Sequence, residues 1–134
     1  MKVLALDYGA ARTGVAVSDP TGTVARPLDV IERAGSDEGL ARLAAIVREE
    51  EPERVVVGLP VTLRGERGRQ AAETERFVEA LRSATPVPVE LFDERFTTRL
   101  AEATSSRGSG AGEDAHAAAH LLTTYLEWLS VRRT

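Results

Sequence analysis

Cysteine is absent from the 134 residues, so no disulfide framework and no thiolate metal site is available. That absence fits a reducing cytoplasm. Histidine occurs only twice, at His116 and His120, which leaves little for histidine-rich zinc chemistry. Aromatic residues make up 4% of the chain, and no stretch approaches the roughly 18 consecutive apolar residues that a membrane span requires. The N-terminus enters an apolar strand pattern at once, without the h-region of a signal peptide. No phosphate loop of the G-x-x-x-x-G-K-[ST] kind is present, and no serine or cysteine triad can be assembled.

Lysine is nearly missing too. Of 17 cations only Lys2 is a lysine, and the net charge of −4 argues against a uniformly basic coat for nucleic acid. Placement says more than the sum. Arg64, Arg67 and Arg69 crowd one glycine-punctuated loop, while Arg95, Arg99 and Arg107 follow a second candidate site. A hydrophobic content of 43% against 28% charged residues reads as a globular chain long enough for one domain, residues 1–134.

The pattern predicts strands over 2–7, 13–18, 23–31, 54–60 and 86–92. Pro27 makes the third an edge strand or places a bulge in it. A helix capped by Ser36 or Asp37 carries Leu40, Leu43, Ala44 and Val47, and Pro52 ends it. A second helix from about Gly68 presents Ala72, Phe77, Val78 and Leu81. A third is expected over 97–104. A loop is expected over 105–114, and a last helix from about Glu113 to Leu129 has Ala118, Leu121, Leu122, Tyr125 and Leu129 on its inner face. The fold class is α/β: a five-stranded mixed sheet, its first three strands antiparallel, with helices on both faces. Right-handed crossovers set the first and fourth strands side by side and parallel. Asp7, Gly58-Leu59-Pro60 and Asp93-Glu94 then share the sheet edge where ligands of open α/β sheets bind.

Asp7 and Glu94 meet on that edge, and Asp114 joins them if the last helix aims its N-terminus there. Three unpaired carboxylates at one spot repel one another, and a divalent cation with oxygen ligands removes the conflict. A pair of such ions positions a nucleophilic water and stabilises a leaving alkoxide at phosphorus. Each acid also has a plainer reading: Asp7 as a turn residue, Asp114 as a helix cap, Glu94 as a partner of Arg95 or Arg99. His116 and His120 sit one helical turn apart and more simply line a helix face. "DYGAARTG" also looks like the first phosphate loop of actin-like ATPases and sugar kinases, which close two such domains over ATP.

"LALDYGAARTGVAVSD", "VVVGLPVTLRGERG", "FDERFTTRLAEA" and "EDAHAAAHLLTTYL" occur in the order and spacing of the YqgF/RuvX family, which the chain resembles over essentially its whole length. Members are described as pre-16S rRNA nucleases or Holliday-junction-resolvase-like proteins. The resemblance implies a ribonuclease H-like fold and divalent-metal-dependent phosphodiester cleavage, with Asp7, Glu94 and Asp114 in the acidic positions. Two departures stand out: Thr62 replaces the family's usual Asn, and Arg107 is the only cation in the segment before the last acid.

The reading that follows is a nuclease for structured RNA that processes precursor 16S rRNA in the cytoplasm. Its partners are RNA or a pre-ribosomal particle, and it is a monomer or weak homodimer without membrane association. Mg²⁺ or Mn²⁺, two ions bound weakly without substrate, are held by Asp7, Glu94 and Asp114. Arg12 and Arg95 contact phosphate, and Arg64, Arg67, Arg69 and Arg99 supply further backbone contacts. The alternatives are a resolvase of branched DNA and a non-catalytic RNA- or ribosome-binding factor.

Overall fold

The computed structural model describes residues 1–59, 69–93 and 111–133. Strand β1 (Val3–Asp7) is central; β2 (Arg12–Ser18) pairs with it antiparallel, and β3 (Ala25–Glu32) pairs antiparallel with β2. Helix α1 (Asp37–Glu50) crosses over to β4 (Arg54–Leu59), which lies parallel to β1 on its other side. Helix α2 (Arg69–Ala84) then leads to β5 (Val89–Asp93), parallel to β4, and α3 (Ala111–Arg133) closes the described chain. The sheet order is β3-β2-β1-β4-β5, the mixed arrangement expected from the pattern.

Two-residue alternation sorts each strand between two cores. Leu4, Leu6, Val15, Val17, Val55 and Val57 pack with Leu43 and Val47 of α1 and with Phe77, Val78 and Leu81 of α2. Val3, Ala5, Ala16, Val56 and Phe92 pack on the opposite face with Ala118, Leu121, Leu122, Tyr125 and Leu126 of α3. β1 and β4 therefore read as continuous apolar runs, because both of their faces are covered. Each large aliphatic side chain buried this way contributes about 1.5–3 kcal/mol.

Local chemistry sets the boundaries. Ser36 caps α1, its hydroxyl accepting from the Gly39 N–H at 3.0 Å. Glu51 takes a left-handed turn at the other end, φ 51°, and its N–H binds the Val47 carbonyl at 2.9 Å just before Pro52. Pro27 meets both expectations: β3 is an edge strand, and its register jumps from Val15↔Asp29 to Ala16↔Pro27. β3 starts at Ala25 rather than 23, because Asp19 gathers the N–H groups of Thr21, Thr23 and Val24 into a turn. β5 starts at Val89, since Pro86 and Pro88 have no N–H to give the ladder. On α2 the buried positions are Ala71, Thr74, Phe77, Val78 and Leu81, and Ala72 is exposed. α3 starts at Ala111 and runs to Arg133, two residues before the expected start at about Glu113, so residues 111–112 are helical where only a loop was expected. The helix expected over 97–104 lies outside the described residues.

Candidate active site

β1, β4 and β5 run in the same direction, so their C-terminal ends open onto one edge. The register sets Leu6 beside Val57 and Leu59 beside Asp93. Asp7 is the last residue of β1 and is half-buried. It shares the parity of Val3 and Ala5, whose side chains pack under α3, and not that of Leu4 and Leu6. Its cross-strand partner on β2 is Gly14, which has no side chain to crowd the carboxylate.

The turn after Asp7 is tightly built. A Cβ at Gly9 would lie 2.5 Å from the Arg12 carbonyl oxygen, so only glycine lets the hairpin close this sharply. The buried Thr13 hydroxyl bridges that turn, lying 3.4 Å from both the N–H and the carbonyl of Gly9. Tyr8 has the opposite parity to Asp7 and stacks on Phe77 of α2, ring centroids 4.4 Å apart at 22°. Burial, and next the nearby Glu73 charge, push its hydroxyl pKa up. Tyr8 and Phe77 line an open cleft of about 270 Å³ with Gly35, Glu73, Arg76 and Ala80. The aromatic clamp thus fixes the backbone that follows Asp7, leaving the carboxylate on the other face.

The remaining expected site residues divide sharply. Arg12 is the first residue of β2, exposed and on the same edge. Asp114 is the fourth residue of α3, one helical turn before the buried Ala118. Arg69 is the first residue of α2. Glu94, Arg64, Arg67, Arg95 and Arg99 lie outside the described residues. Among the described residues, no group of three histidine, cysteine or acidic side chains comes together in metal-binding geometry. His116 and His120 are exposed on α3, away from its buried face. Arg33 went unnoticed in the sequence. It follows β3 directly, on the same edge as Asp7, and its N–H donates to the Ala11 carbonyl at 3.0 Å.

A polar cluster anchors α3 at the opposite end of the sheet. The Arg54 guanidinium, at the first position of β4, donates from one nitrogen to the Tyr125 hydroxyl at 2.7 Å and to Glu90 at 3.1 Å. Tyr125 donates in turn to the Glu90 carboxylate. Burial, then the bond to Glu90, push the Tyr125 hydroxyl pKa up to about 12; Tyr125 in turn raises that of Arg54. Tyr125 also meets Phe92 edge-on at 5.3 Å, so this one residue ties α3 to both β4 and β5.

A family model described as RuvX, Holliday junction resolvase, matches residues 1–128. The chain belongs to the RuvX family. A relative in Chloroflexus aurantiacus, named "Putative pre-16S rRNA nuclease", is 48% identical to this RuvX chain over 100 residues, 75% of the chain. The match spans 65% of that relative's own length. A protein of the same name in Anaeromyxobacter is 43% identical over 133 residues, covering 95% of this chain and 97% of its own. Among solved structures, T. thermophilus RuvC in complex with a Holliday junction substrate superposes with a TM-score of 0.66 at 20% identity, covering 97% of this chain and 96% of that one. The fold of this RuvX protein is ribonuclease H-like, as its strand order and these structures together establish.

Proposed function

We propose that this chain is a divalent-metal-dependent nuclease, one domain over residues 1–134, that hydrolyses phosphodiesters of structured RNA and processes the 5′ end of precursor 16S rRNA in the cytoplasm. The observation that carries this reading is the placement of Asp7: it ends the central strand at the edge where β1, β4 and β5 all stop, on the face that α3 covers. Two relatives named "Putative pre-16S rRNA nuclease", at 48% and 43% identity, support the RNA substrate.

Asp7, Glu94 and Asp114 would hold Mg²⁺ or Mn²⁺. The donor set fits: all three offer hard carboxylate oxygens, and the chain has no thiolate to favour a softer ion. A cation held there would lower the pKa of a bound water, favouring the hydroxide that attacks phosphorus, and would offset charge on the leaving oxygen. The chain's own residues do the positioning. Asp7 is held by the Gly9–Thr13 turn and the Tyr8–Phe77 clamp. Arg12 and Arg95 hold phosphate oxygens, where arginine's planar fork matches two acceptors. Arg64, Arg67, Arg69 and Arg99 bind the nucleic-acid backbone without reading sequence. A monomer or weak homodimer suffices for cuts in RNA.

The family description favours a second reading, cleavage of four-way DNA junctions, which needs two symmetric cuts and therefore a dimer. Purified protein is to be incubated with Mg²⁺ or Mn²⁺ on a precursor-rRNA fragment and a four-way DNA junction in parallel. Faster cleavage of the rRNA fragment is expected. Preferential junction cleavage overturns the RNA reading, and binding without turnover on either substrate makes the protein a non-catalytic factor.

A further inference from the structure

Arg33 is held in a backbone conformation that its residue type disfavours. Its φ is +47°, in the left-handed region that glycine and asparagine occupy more readily. The surroundings leave it no alternative. Its N–H is bound to the Ala11 carbonyl at 3.0 Å, and its own carbonyl accepts from the Ser36 N–H at 2.9 Å and the Ser36 hydroxyl at 2.7 Å. Gly39 packs against the same carbonyl so closely that a Cβ there would sit 2.2 Å from it. One residue thereby ties the β1–β2 hairpin to the cap of α1. Stability alone favours glycine or asparagine at such a position, and strain of this kind collects at functional sites.

The side chain itself serves no visible structural purpose. Arg33 is exposed, and among the described residues no carboxylate pairs with its guanidinium. Its location gives it another use. Glu32 pairs with Arg12 in the sheet, so Arg33 stands one residue past the end of that ladder, beside the turn that follows Asp7. β3 lies two strands from β1, about 10 Å across the sheet. A phosphodiester strand with one phosphate at Asp7 would reach Arg33 if it ran along this rim.

We propose that Arg33 is a nucleic-acid-binding residue: a preset cation that grips a backbone phosphate a few nucleotides from the bond being cut and fixes the strand's path along the sheet edge. This rests on the nuclease reading above. The backbone strain is tolerated because it fixes the point beside the Asp7 turn from which the charged side chain reaches out.

The test uses labelled precursor-rRNA fragment with Mg²⁺ in an Asp7→Asn background, so that substrate survives, and compares Arg33, Arg33→Asn and Arg33→Lys. Asparagine keeps the left-handed turn and removes the charge; lysine restores charge with equal strain. Thermal melting confirms that the variants are folded. Arg33→Asn is expected to bind roughly 3- to 10-fold more weakly, with the slope of log affinity against log salt shallower by about 0.7–0.9, and lysine is expected to recover most of that slope. Equal affinity and slope for all three proteins overturn the inference while leaving the nuclease reading intact. A loss that lysine does not repair at all also overturns it, since the role is then one of shape. If the Asp7→Asn protein binds no RNA and the unaltered protein cleaves none, both fall together.

Discussion

Tyr125→Phe removes one oxygen from a cluster whose geometry sets the size of the effect. The hydroxyl accepts from Arg54 at 2.7 Å and donates to Glu90, so two charge-assisted bonds are lost. Bonds to charged groups contribute about 1.5–3 kcal/mol when well buried. Tyr125 is 1% exposed, but Arg54 and Glu90 keep 35% and 44% of their side-chain surface and recover water in the variant. A net loss of about 1–2 kcal/mol follows, a fall of roughly 3–8 °C in Tm for a chain of this size. The pH dependence is the sharper signature. The folded protein holds the tyrosine proton up to about pH 12, against 10.0 when unfolded, so this contribution is complete below pH 10 and fades as pH rises toward 12. One pKa unit equals about 1.4 kcal/mol, which caps the fading contribution near 3 kcal/mol. Urea unfolding of the two proteins at pH 8, 10 and 11.5 is the assay. The gap between them should be widest at pH 8 and narrow steadily above 10. A gap that stays constant across this range refutes the assignment of a desolvated, doubly bonded hydroxyl.

Two further predictions concern the loops and caps. Gly39→Ala forces a Cβ to within 2.2 Å of the Arg33 carbonyl and 2.6 Å of the Ala34 Cα, so despite alanine's better helix propensity it should lower stability by about 1–3 kcal/mol, read from urea midpoints. Asp19 accepts from the Thr21 hydroxyl first, then from the Val24 and Thr23 N–H groups, which hold its carboxyl far below the usual range. Its contribution is therefore present above pH 3.8 and lost as pH falls below that, so Asp19→Asn should flatten the acid limb of the stability–pH curve; identical limbs count against the turn as described.

The sheet was legible because its residues carry redundant signals. Val3 to Leu6 and Val55 to Val57 are apolar without alternation, which marks strands covered on both faces, and a crossover long enough for a helix forces them parallel. Pro27 announced both the edge and the bulge. What failed was local. Ala71, not the expected Ala72, keeps the i, i+3, i+7 and i+10 spacing with Thr74, Val78 and Leu81, a face obscured in the sequence because Thr74 is polar. Residues 111–112 looked like loop because they continue a run of glycine and serine, yet the helix starts at Ala111 rather than at about Glu113. At the site, Asp7 stood out as an acid closing an apolar run. Arg33 gave no comparable signal, because its importance lies in a positive φ and in a register that sets it beside Ala11. Tyr8 was visible only as part of a motif, and its stacking on Phe77 depends on contact between residues 69 positions apart.

Cleavage of the precursor-rRNA fragment by the unaltered protein and by Asp7→Asn, with Mg²⁺ and with Mn²⁺, addresses the central assignment most directly. Asparagine matches aspartate in size and removes the charge at the end of β1, so the fold should persist while cleavage falls by at least about 100-fold, an effect of roughly 2.7 kcal/mol or more on the barrier. Equal cleavage by the two proteins contradicts the account and removes Asp7 from the site.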